Sequence, residues 1–142
     1  MALSDCLWLD SDIILDWLAQ RQPWNAAAKE LIRRGVQGAW DLCFSPLTLA
    51  NVHYIYRKQA GSDQTLIAIR KLASLGKVIS MDATHVQQAL ASGRTDFEDA
   101  LQIACASQIP VLSAIITRNL SDYAHGPVPA LTADQWLRQA VS

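Results

Sequence analysis

An excess of basic charge, metal-ligand spacing of histidines and paired cysteines are all missing from this chain. Lys and Arg total 12 against 13 Asp and Glu, for a formal net charge of −1. Bulk charge therefore attracts no polyanion, which argues against a non-specific nucleic-acid coat. Any contact with nucleic acid has to come from a local basic patch or from bound metal ions. His53, His85 and His125 are scattered without ligand spacing, which speaks against zinc. The cysteines, Cys6, Cys43 and Cys105, are odd in number, form no CxxC pair and sit in apolar runs. They read as buried thiols, and a reducing cytoplasm fits them. No stretch reaches the roughly 18 apolar residues that a membrane span needs. Met1 to Ser4 carries no basic region ahead of an apolar core, so a signal peptide is not expected. Internal repeats, low-complexity tracts and linkers are also missing.

What is present is a large apolar fraction. Of 142 residues, 51% are hydrophobic and 18% charged, enough for a proper core and too apolar for a disordered chain. Domains typically run roughly 100–200 residues, so one domain over residues 1–142 is expected. Cys6–Leu9 is a short apolar run of the kind that forms a buried parallel strand. Ile13, Ile14, Trp17 and Leu18 then recur at helical spacing. Pro23 suits the first turn of the next helix, with Ala27, Ala28, Leu31 and Ile32 inward and Gly35 as its stop. Leu42–Phe44 is a second strand. Ser45 caps a helix with Pro46 at its first position, and Leu47, Ala50, Asn51 and Tyr54 share one of its faces. Gly61 ends it. Leu66, Ile69, Leu72 and Ala73 form another amphipathic segment, closed by Gly76. A third strand is expected over Val78–Met81, then a helix from Thr84 to Ser92 with Val86, Ala89 and Leu90 inward. Asp96 to Gln108 is strongly helical, with Phe97, Ala100, Leu101 and Ala104 on one face. Val111–Ile116 is the most apolar strand, and Thr132 caps a last helix carrying Trp136 and Leu137.

This alternation predicts an α/β fold of three layers, with a small central parallel sheet of four or five strands flanked by helices. Ligands in such folds collect beyond the carboxyl ends of the strands. Asp10 directly follows the first strand, in an Asp-Ser-Asp run longer than a helix cap needs. Asp12 reads as support for that turn through its own hydrogen bonds. Asp96, Glu98 and Asp99 open a helix, where acids also meet the positive end of the helix dipole; Asp99 adjoins the apolar face and is the stronger site candidate. Thr117-Arg118-Asn119-Leu120-Ser121-Asp122 follows the most apolar strand. Carboxylates gathered from three distant segments repel one another unless a cation sits among them, and hard oxygen ligands select Mg²⁺ or Mn²⁺. Arg118 adjoins this pocket and is the best candidate for a phosphate contact. Arg21, Arg57, Lys58 and Arg94 read mostly as solvated positions.

The segments Leu9-Asp10-Ser11-Asp12-Ile13-Ile14-Leu15, Ser45-Pro46-Leu47-Thr48-Leu49-Ala50-Asn51, Asp96-Phe97-Glu98-Asp99-Ala100-Leu101 and Thr117-Arg118-Asn119 occur in an order that resembles the PIN domain family, in its VapC-like branch. The resemblance implies a metal-dependent endoribonuclease with one or two divalent ions, Mg²⁺ or Mn²⁺. It places Asp10, Asp99 and Asp122 as the metal-holding acids, with Glu98 and Asn119 beside them. It also implies partners: an RNA substrate, an antitoxin whose segment covers the site, and a homodimer, with no membrane association. Asn51 and Asn119 depart from the family by standing where many relatives carry acids. An amide offers an oxygen but no charge, so a non-catalytic RNA- or protein-binding module is the alternative. A HAD-like phosphatase would share the apolar strand followed by Asp10-Ser11-Asp12, but Ile13 and Ile14 follow where that family carries x-Thr.

Overall fold

The computed structural model describes residues 5–140. The chain runs β1 (Asp5–Leu9), α1 (Ser11–Leu18), α2 (Asn25–Val36), β2 (Trp40–Phe44), α3 (Pro46–Ala60), α4 (Ser62–Leu75), β3 (Lys77–Val78), α5 (Ala83–Ala91), α6 (Phe97–Ser107), β4 (Leu112–Ile116), a 3-10 turn (Leu120–Tyr123), β5 (Ala130–Leu131) and α7 (Ala133–Gln139). The five strands lie in the order β3-β2-β1-β4-β5, and every pairing is parallel. β1 is central. From it the chain winds outward through β2 and β3, then returns to its other side with β4 and β5. The strand order thus reverses between β1 and β4, where their carboxyl ends open a crevice.

Alternation along β1 sends Leu7 and Leu9 to one face, and Cys6 and Trp8 to the other. The first face packs Leu7, Leu9, Leu42, Phe44, Ala114 and Ile116 against helices carrying Ile13, Ile14, Leu31, Val52 and Trp136. Trp40 and Trp136 meet there edge to face, 5.7 Å apart. The second face is smaller and gathers Cys6, Trp8, Cys43, Ile115, Cys105 and Tyr123. Among the described residues, no helix is long and apolar enough to cross a membrane.

Several local expectations are corrected. Pro23 lies ahead of α2, after a cis peptide bond, and not in its first turn. Gly35 does not stop α2. A Cβ there would come within 2.8 Å of Leu42, so Gly35 permits close packing of helix on strand, while Gly38 takes the positive φ of 97° beyond the helix. On α3 the buried residues are Thr48 and Val52, whereas Tyr54 is exposed. Leu66, Leu90, Phe97 and Val111 are exposed as well. On α5, His85 and Ala89 turn inward. β3 is only Lys77–Val78. Its expected continuation to Met81 does not pair, although the Ile79 N–H still donates to the Phe44 carbonyl at 2.8 Å.

Candidate acidic site at the sheet edge

Leu9 of β1 pairs with Ile116 of β4, so the next residue of each strand, Asp10 and Thr117, meets at the crevice. The Asp10 N–H donates to the Ile116 carbonyl at 3.0 Å. The Thr117 hydroxyl donates to Asp10 Oδ2 at 2.8 Å, and the Ser11 N–H donates to Asp10 Oδ1 at 2.8 Å. Asp10 is therefore both the cap of α1 and an acid fixed at the sheet edge. Burial pushes its carboxyl pKa up, and Asp122 pushes the same way, against the hydrogen bonds from Thr117 and Ser11.

Asp12 plays a larger part than a turn support. Its Oδ2 accepts from the Arg118 N–H at 3.0 Å and from the Asn119 amide at 3.3 Å. Its Oδ1 is buried without a hydrogen-bond partner. Burial first, then Asp10, raises its pKa to about 7. Sequence spacing assigned nothing to Asp16, which lies one helical turn beyond Asp12 and is fully buried. It accepts two hydrogen bonds from the Arg118 guanidinium, at 2.8 and 3.1 Å. That guanidinium also lies 3.8 Å from the centre of the Trp24 ring. Arg118 is thus committed to Asp16 and Trp24, with a quarter of its side chain left exposed.

The second half of the site comes from α6. Asp96 caps this helix by accepting from the Asp99 N–H at 3.0 Å. A buried knot of Ser45, Thr48 and Gln102 fixes the helix against the start of α3. Ser45 Oγ lies 2.9 Å from Gln102 Oε1, and Gln102 Nε2 donates to Thr48 Oγ1 at 3.2 Å. Asp99, one turn before Gln102, is half-buried. Partial burial first, then the charges of Asp96, Asp122, Asp10 and Glu98, raise its pKa to about 6. Glu98 is exposed and accepts from the Asn51 amide at 2.7 Å. Asn51 therefore stands at the edge of the acidic cluster.

Asp122 sits in the exposed 3-10 turn. The turn is pinned where the Arg94 guanidinium donates to the Asp122 and Ala124 carbonyls, at 3.1 and 3.3 Å. The neighbouring Tyr123 is buried. Burial raises the pKa of its phenol, and the charges of Asp10, Asp99 and Asp12 add to that. No period in the sequence marks Tyr123 or Gln102 as site supports.

Among the described residues, no three His, Cys, Asp or Glu side chains are close enough to hold an ion as they stand. The chemistry of the donors nonetheless fits a hard divalent cation. Asp10, Asp12, Asp99 and Asp122 offer only oxygen, the pKa values of the first three are raised, and Asp12 carries an unpartnered buried oxygen.

A model of the PIN domain matches residues 7–121. The chain belongs to the PIN domain family. No curated protein matches this chain. Solved structures do, and their likeness is one of fold. A toxin–antitoxin complex from Klebsiella pneumoniae is 23% identical with a TM-score of 0.66, over 89% of this chain and 97% of that one. DNA-bound VapBC from Salmonella typhimurium is 18% identical with a TM-score of 0.67, over 92% and 99%. VapC20 from Mycobacterium tuberculosis, described as a sarcin–ricin-loop-cleaving toxin, is 14% identical with a TM-score of 0.67, over 84% and 95%. This PIN domain has the VapC-like α/β architecture, with its acidic edge at the point where strand order reverses.

Proposed function

We propose that this chain works as one domain over residues 1–142 and is a ribonuclease of the VapC type. In this reading it hydrolyses RNA phosphodiester bonds with Mg²⁺ or Mn²⁺ held by Asp10, Asp99 and Asp122. The observation that carries the reading is electrostatic. At the reversal of strand order, burial first and then the charges of Asp96, Asp122 and Asp10 raise the carboxyl pKa of Asp99, and the charge of Asp122 adds to the burial that raises that of Asp10. A fold gains nothing from such repulsion unless a cation offsets it. When bound, a divalent ion supplies an activated water and offsets the charge that grows on phosphoryl oxygens.

The chain's own residues do the rest. Thr117 and Ser11 fix both oxygens of Asp10. Asp12 holds the Arg118–Asn119 turn through one oxygen and keeps the other free. Gln102, Ser45 and Thr48 set the angle of α6 and so the approach of Asp99. Glu98 and Asn119 line the edge, where they can orient the substrate or its water. Arg118 meets RNA only through its exposed edge, because its donors are shared with Asp16. An antitoxin segment covering this edge and a second copy of the chain are the protein partners in this reading; the similar structure from Klebsiella is a toxin–antitoxin complex.

A labelled RNA incubated with Mg²⁺ or Mn²⁺ tests the reading. Wild type should cut it, and EDTA or Asp10→Asn should each stop the cutting. Cleavage that continues in EDTA, or in Asp10→Asn, means the metal mechanism is wrong.

One contact favours a second reading. The Asn51 amide occupies an oxygen of Glu98, and Asn51 and Asn119 bring no charge of their own, which suits a non-catalytic module that binds RNA or protein. Calorimetric titration with Mn²⁺ separates the two, since an inert module takes up no ion.

A further inference from the structure

A groove of about 680 Å³ runs beside the acidic edge, between α1, α2 and α7. Ile13, Leu137, Asn119 and Arg118 are among the residues that line it. Trp24 lines it with 44% of its surface exposed. We propose that this groove is a nucleobase-binding subsite, in which Trp24 provides the stacking surface for an unpaired base next to the cleaved bond. The proposal rests on the ribonuclease reading for the identity of the ligand. The groove itself is assigned by its own geometry.

The volume falls within the range of small-molecule sites, roughly 300–1,000 Å³, and so admits a base with its ribose. The Arg118 guanidinium packs on the Trp24 ring at 3.8 Å and is itself held by Asp16. The indole is therefore buttressed, so little side-chain freedom is lost when a base stacks on it. Such stacking tolerates any base, because each has a π-face.

Charge also favours this occupant. The groove is lined by Asp16, Glu30 and Asp134, acids that would repel a phosphate-bearing ligand if unpaired. Each is matched by arginine: Asp16 by Arg118, Glu30 by Arg33 and Arg34, and Asp134 by Arg138. The acidic edge a few residues away has no such matching and suits a cation. The two neighbouring cavities thus divide the work. One presents unneutralised carboxylates to an ion, and the other presents a neutralised aromatic groove to a base. Asn119 touches both, since it lines the groove and donates to Asp12.

The test is binding of a fluorescein-labelled, single-stranded RNA octamer, followed by anisotropy in EDTA with Asp10→Asn as background so that nothing is cut. Trp24→Ala should weaken binding by about fivefold to a hundredfold, the range for loss of one base stack. Trp24→Phe should restore most of it. Ala26→Leu leaves Trp24 and Arg118 in place and fills the groove from α2; it should weaken binding comparably and guards against a folding defect in Trp24→Ala. An abasic octamer should bind the Trp24 protein as weakly as the normal octamer binds Trp24→Ala. Folded Trp24→Ala and Ala26→Leu proteins that bind RNA as tightly as their parent overturn the proposal, and that is also the result if the groove takes a protein segment instead. The two readings fail separately. RNA binding that depends on Trp24, in a protein whose wild type cuts no RNA, upholds the groove and ends the ribonuclease reading. Metal-dependent cutting with no dependence on Trp24 does the reverse.

Discussion

On the β1–β4 side of the acidic edge, Asp10 takes hydrogen bonds from Ser11 and Thr117, Asp12 takes them from Arg118 and Asn119, and Asp16 binds the Arg118 guanidinium. On the α6 side, Glu98 is exposed and Asp99 half-buried. The described side-chain bond that carries a carboxylate of this side across to another element is Asn51 to Glu98. One side is strapped by donors and the other is spread by like charges. The strapped side keeps its shape without help, because hydrogen bonds to its carboxylates offset part of the cost of burying them. The α6 side depends on its surroundings, so an added cation should change it most.

The largest expected effect separates chemistry from scaffold. Asp10→Asn and Asp99→Asn should each reduce RNA cleavage to background, while circular dichroism reports an intact fold. Folding should survive because each change removes a like charge from the cluster. An unfolded Asp99→Asn protein would show that the α6 side is scaffold after all.

Next in size is the strap. Arg118→Ala leaves Asp16 charged, unpaired and fully buried, which costs about 3–5 kcal/mol of stability. Asp16→Ala should cost less, because Arg118 already has a quarter of its side chain in solvent. Urea denaturation of both variants measures this, and equal losses would contradict the strapped description.

The strap is also where sequence and structure part. β1, α1, α3 and α6 start within a residue or two of the expected positions, because their signals are local: an apolar run, Ser45 before Pro46, and Asp96 ahead of a helical period. Asp10, Thr117 and Asp99 were legible for the same reason, each sitting where a strand or helix changes character. Asp16 was not. It lies on a helix with an ordinary amphipathic pattern, and its partner is 102 residues away. Tyr123, Gln102 and the two-residue β5 were hidden likewise, since burial and pairing across the sheet leave no period in so short a stretch. Among the five tryptophans, Trp8 is core as expected. Trp40 and Trp136, which lie near segment ends, pack on each other, and Trp24 is the exposed one.

A pH series sharpens the comparison further. Asp12 and Asp99 have pKa values of about 7 and about 6, above the ordinary aspartate value of roughly 3.9. Between that value and neutrality the folded protein binds more protons than the unfolded chain, so stability falls as pH rises through this window. Melting temperatures in EDTA should drop from about pH 4 to about pH 7. Asp12→Asn should flatten the curve over the whole window, and Asp99→Asn only below about pH 6 and more weakly, because its site is more exposed.

The smallest effect concerns Asn51. Asn51→Glu replaces the donor to Glu98 by a second carboxylate, and should lower the melting temperature in EDTA by a few degrees, about 1 kcal/mol of lost stability. Mn²⁺ should then raise it by more than it raises the wild type. A variant that melts like wild type in both conditions would place Asn51 outside the ion's reach.

In the proposed metal site, Asp10, Asp99 and Asp122 converge on one divalent ion. Crystals soaked in Mn²⁺ and measured for anomalous scattering test it directly. The account predicts a peak among these three carboxylates, lost in Asp10→Asn crystals. Density at another site with none here, or a peak that persists unchanged in Asp10→Asn, would contradict it.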